Sequence, residues 1–78
     1  MSSKIPLKFK DQIERFILKI LYEEKSVRTL KLLAERVLER AMRERITISE
    51  KTINTIINQM NKNGKIQFTQ KEGWKIRI

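Results

Sequence analysis

The chain of 78 residues has no cysteine and no histidine. Without cysteine there is neither a disulfide nor a thiolate to act as nucleophile or ligand. Without histidine the usual acid–base group near neutral pH and the commonest nitrogen ligand for metals are both missing. Two glycines leave no glycine-rich loop to cradle a phosphate. The nine acids are scattered among basic neighbours and make no paired carboxylate site. The expectation is therefore a protein that is not an enzyme and carries no metal or cofactor. No stretch approaches the roughly 20 apolar residues that span a bilayer. The opening residues, Met1 to Pro6, lack the apolar segment of a signal peptide, so the expected location is the cytoplasm, with no membrane partner.

Acid is also scarce in one place. After Glu50 the only acid is Glu72, against Lys51, Lys62, Lys65, Lys71, Lys75 and Arg77, so residues 51–78 carry a charge of +5. Residues 1–10 hold Lys4, Lys8 and Lys10 and no acid, while residues 11–50 set nine bases against eight acids. The total of +9 is thus concentrated at the two ends, a partition that solubility does not require. Apolar residues make up 40% of the chain, enough for one small core, and length allows a single domain with a modest one.

Read for periodicity, residues 1–10 form a basic arm. Asp11 and Glu14 then look like a helix start, with Ile13, Phe16, Ile17, Ile20 and Leu21 as its apolar stripe to about Glu24. A connector follows, with a stub of strand at Val27-Arg28. Thr29 is placed to cap a second helix running to about Arg45, whose inward stripe includes Leu33, Ala34 and Val37 and whose outer faces mix Glu and Arg. The β-branched run Ile46-Thr47-Ile48 ends it. Ser49 caps a third helix through Asn63, and Gly64 sits where a left-handed C-terminal cap is expected. From Lys65 the period falls to two. Ile66 and Phe68 share one face with Trp74, Ile76 and Ile78, and Lys65, Lys75 and Arg77 share the other, so a β-hairpin turns at Gln70 to Gly73.

This order and the stretch ISEKTINTIINQMNKNGKI resemble the winged helix-turn-helix family over residues 11–78. The resemblance implies an α+β fold of three helices with a C-terminal hairpin wing. It implies double-stranded DNA as partner, a role in transcription regulation or chromatin association, the third helix in the major groove and the wing on flanking backbone. The second helix is long for that family and the wing turn short. The same fold also serves protein assembly and RNA contacts, and that alternative stays open.

The residues that carry the expectation are these. With Ile53, Ile56, Ile57 and Met60 turned inward, Lys51, Thr55, Asn58 and Lys62 fall in one outward arc, flanked by Thr52, Asn54 and Gln59, with Ser49 at the helix start. Amides pair with adenine edges, lysine with guanine or phosphate, and the threonine methyl with thymine. A polar stripe is by default only a solvated face. The second helix offers the comparison, because its outer face mixes acids and bases while this arc holds no acid. On the hairpin Lys65, Lys71, Lys75 and Arg77 suit phosphate, although lysine on an exposed strand also deters edge-to-edge aggregation. Trp74, in register with the apolar face, reads as core rather than as a stacking platform. Six such cations on phosphates would make log affinity fall against log salt with a slope near about −5. Leu18 and Tyr22 on the first helix and Leu32 on the second lie off the main stripes and suggest a homodimer contact. Twelve isoleucines with abundant Lys, Arg and Glu fit a thermophilic, archaeal source or one of its viruses or plasmids.

Overall fold

In the computed structural model, which describes residues 7–77, three helices are followed by one antiparallel hairpin: α1 (Leu7–Glu24), α2 (Leu30–Arg43), α3 (Glu50–Lys62), β1 (Ile66–Thr69) and β2 (Gly73–Ile76). The α+β layout agrees with the expectation. The start of α1 does not. The helix begins at Leu7, and Asp11 is an exposed residue of its second turn rather than a cap. Phe9 supplies the reason: it lies four residues before Ile13 and packs against the core, so it extends the apolar stripe by a turn. Residues 7–10 of the expected basic arm are therefore helical, and Lys10 sits 3.9 Å from Glu14 one turn on. Lys4 lies outside the described residues, as do the first six positions and Ile78.

The caps of α2 and α3 are where the side-chain chemistry places them. Thr29 Oγ1 accepts from the Leu32 N–H at 3.1 Å, and Ser49 Oγ from the Thr52 N–H at 3.1 Å. The ends of these helices share one geometry. At α3 the Lys65 N–H reaches the Met60 carbonyl at 2.9 Å and the Gly64 N–H the Asn61 carbonyl at 3.1 Å, with Gly64 at φ +80°. At α2 the Ile46 N–H reaches the Ala41 carbonyl at 2.8 Å and the Arg45 N–H the Met42 carbonyl at 3.1 Å. The helix thus stops at Arg43, two residues short of the expected end. A left-handed Arg45, at φ +59°, closes it, not the resistance of the β-branched run. A side chain in that conformation costs about 1–2 kcal/mol, while glycine adds about 0.5–1 kcal/mol of unfolded-state entropy to lose. Arg45→Gly is therefore expected to raise the melting temperature by a few degrees in a thermal scan. A fall would show that the arginine side chain earns its place through contacts.

The hairpin pairs Ile66 with Ile76, Gln67 with Lys75, Phe68 with Trp74 and Thr69 with Gly73. A third piece joins it. Val27 donates to the Trp74 carbonyl at 2.9 Å and accepts from the Trp74 N–H at 2.7 Å, so the expected stub of strand is one antiparallel bridge on the outer edge of β2. Gly73 makes that approach possible. It stands at φ +87°, and a Cβ there would lie 2.4 Å from the Val27 carbonyl oxygen and 2.5 Å from the Arg28 Cα. The three helices pack on one another, β1 on α3 and β2 on α1. The core between them is apolar, and no polar or charged residue is buried among the described residues. Ile66 is sealed in it, but Phe68, expected on the same buried face, is 50% exposed. Trp74, directly opposite on β2, is only 6% exposed, so the difference is between the strands: β2 is flanked by Val27, while β1 is the edge strand. Among the described residues no helix is long and apolar enough to cross a membrane.

Candidate nucleic-acid interface

α3 separates its faces cleanly. Ile53, Ile56, Ile57 and Met60 have no exposed surface. At roughly 100° per residue the opposite side of the helix holds Lys51, Thr55, Asn58 and Lys62, and all four are exposed. Thr52, Asn54 and Gln59 flank this arc half-buried, as expected. Thr55, Asn58, Gln59, Asn61 and Lys62 together frame a shallow depression along the helix.

Hydrogen bonds divide these residues by role. Ser49 and Thr52 share a 3.0 Å contact between their hydroxyls in addition to the capping bond, so both are occupied in holding the start of the helix. The Thr55 hydroxyl donates to the Lys51 carbonyl at 3.1 Å, which leaves its methyl for a partner. Asn54 Oδ1 and Gln59 Oε1 are shielded and have no hydrogen-bond partner among the described residues. These two amides therefore keep unused hydrogen-bonding capacity on either side of the arc.

The wing is less free than its sequence suggests. Lys65 Nζ lies 3.1 Å from Glu14 Oε1, and Lys75 Nζ lies 2.7 Å from Glu72 Oε1. Lys51, Lys62, Lys71 and Arg77 make no ion pair among the described residues. The Lys75 hydrogen bond and charge hold the exposed Glu72 carboxyl below its usual range, so Glu72 is ionised, and Lys75 partnered, at neutral pH. That partnership is lost only as pH falls through the lowered value. Glu72→Gln releases Lys75 and removes a nearby negative charge. It is expected to tighten duplex DNA binding and steepen the salt slope by about one unit, read by fluorescence anisotropy over a salt series. An unchanged slope would place Lys75 away from the backbone.

No family model, curated protein or solved structure matches the chain. What the site does is carried by its own residues.

The three residues expected at a dimer contact differ in exposure. Leu18 packs against the core and is only partly exposed. Tyr22 is 76% exposed and stands where the end of α1 meets β2, beside Lys25 and Lys75. Leu32 is exposed on the side of α2 opposite Leu33, Ala34 and Val37. Exposure in a helical pattern gives a direction but not a neighbour. Two exposed apolar side chains were not singled out from the sequence, Met42 and Phe68. Met42, one turn after Leu38, lies at the margin of the α2 stripe, where the pattern alone does not decide burial. Phe68 follows the buried Ile66 by two positions, and nothing in a period of two tells which strand lies at the open edge.

Proposed function

We propose that this chain is a winged helix-turn-helix domain that binds double-stranded DNA, as a transcription regulator or chromatin-associated protein. The observation that carries this is the outward arc of α3: two lysines without acidic partners, an asparagine and a threonine methyl, set opposite a stripe with no exposure at all. A stripe that fully buried fixes the rotation of the helix, so the arc is a rigid surface rather than a mobile fringe. A helix of this width fits the major groove, where amides and lysines read base edges. Lys71 at the wing turn and Arg77 beyond β2 are the cations available for flanking phosphates.

Four unpaired cations on phosphates give an expected slope of log affinity against log salt near about −4, shallower than six would give. The test is the binding of random-sequence duplex at two salt concentrations, followed by selection of preferred sites, with structured RNA as competitor. Salt-dependent binding to duplex that RNA displaces poorly supports the reading. Absence of binding at low salt overturns it.

A further inference from the structure

Phe68 is an aromatic ring that the fold leaves half in water, in the stretch of residues 51–78 whose only acid is Glu72. Its position is fixed. The Phe68 and Trp74 ring centroids are 5.2 Å apart with planes inclined at 60°, and Trp74 is itself only 6% exposed. Trp74 is held in turn through both of its main-chain groups by Val27 and by the close approach at Gly73. The exposed ring therefore stands on a rigid base, so a partner would not have to order it.

Its surroundings say what kind of partner. Lys71 is three positions away on the turn and makes no ion pair among the described residues, Lys75 is on the opposite face and paired with Glu72, and Glu72 is the only acid of the hairpin. An apolar ring near the unpaired Lys71, on a segment of net charge +5, is poorly matched to a second copy of this chain, which would bring the same positive charge against it. It is well matched to a polyanion that carries flat apolar faces. Aromatic stacking beside cations is the combination that holds unstacked bases, and phenylalanine is among the side chains that wedge into opened base steps.

We propose that Phe68 is a base-stacking contact, and that the chain prefers duplex DNA with an unpaired or readily unstacked position one flank away from the α3 site. This rests on the DNA-binding reading above and adds a feature of the substrate to it. α3 and Lys71 hold the backbone on either side, and the ring takes the place of the lost base neighbour.

The test compares a fully paired duplex with the same duplex carrying a two-nucleotide bulge that contains 2-aminopurine. The wild-type chain is expected to bind the bulged duplex about ten-fold or more tightly and to change 2-aminopurine emission on binding. Phe68→Leu keeps apolar volume over Trp74, and Phe68→Trp keeps a stacking face. The first is expected to lose the preference while binding paired duplex within about two-fold of wild type, and the second to retain it. Circular dichroism and a thermal scan establish that both variants are folded. The proposal is overturned if Phe68→Leu keeps the wild-type ratio, or if the substitution alters molecular mass in solution instead of DNA preference. If wild type binds neither duplex, the DNA-binding reading fails as well. If Lys51 and Lys62 substitutions weaken both duplexes while Phe68→Leu changes nothing, only the stacking role fails.

Discussion

The variant Lys51→Glu/Lys62→Glu is expected to bind duplex DNA about 100-fold or more weakly than wild type near 0.1 M salt, with a salt slope shallower by about two units. Both ammonium groups stand exposed on the arc and neither makes an ion pair among the described residues, so each is available to a phosphate or a guanine edge. A hydrogen bond to a charged group contributes about 1.5–3 kcal/mol, and reversing the sign adds repulsion from the phosphates. The fold should hardly notice. Glutamate at position 51 places a negative charge in the first turn of α3, where the helix dipole favours it. Glutamate at position 62 places one in the last turn, where the dipole opposes it. Each effect is about 0.3–1 kcal/mol, and they act in opposite directions. Anisotropy titrations alongside a thermal scan separate the two consequences. Unchanged affinity in a folded variant would move the contact surface off α3.

Gly73→Ala should do the reverse, and remove the fold without touching the binding face. Two costs coincide at this residue. The left-handed φ of +87° is unfavourable for a side chain by about 1–2 kcal/mol. The methyl would also lie 2.4 Å from the Val27 carbonyl oxygen and 2.7 Å from that of Arg28, both backbone atoms that yield only if the bridge to Trp74 opens. Overpacking of this kind adds about 1–3 kcal/mol or more. A total of about 2–5 kcal/mol is a large part of what so small a domain has in reserve, and corresponds to a fall in melting temperature on the order of 8 °C or more. Gly64→Ala is the internal comparison. It has φ +80°, but its nearest neighbour would be the far end of the Arg77 side chain at 4.0 Å, so only the backbone cost applies. Urea denaturation of the two variants should place Gly73→Ala lower by about 2 kcal/mol. Equal losses would mean that the Val27 approach is soft.

Much of this arrangement was legible because its causes are local. Thr29, Ser49 and Gly64 act through atoms three to five residues away, so the caps and the rotation of α3 could be read along the chain. The start of α1 was obscured by a stronger competing signal: Asp11 followed by Glu14 has the pattern of a cap, yet Phe9 gains more by burial one turn earlier. The partner of Lys65 was not legible at all. Glu14 is separated from it by most of the chain and meets it only once the hairpin lies against α1. That tertiary contact decided whether Lys65 is free, whereas Lys75 is taken by Glu72 three residues away and the shape of the candidate surface follows from local chemistry.

The pairing of Val27 with Trp74 has a consequence for how the chain can be divided. It closes a ring of covalent structure that contains all of α2, α3 and β1. Helices α2 and α3 are therefore not a detachable cassette. Grafted elsewhere without β2, they would lose the clasp that sets the entry to α2, and the ends of that segment would regain the freedom that closure removes. Closure between such distant positions is a slow, late step compared with forming any one helix. The chain is thus expected to acquire α3 and the hairpin together, as one cooperative unit.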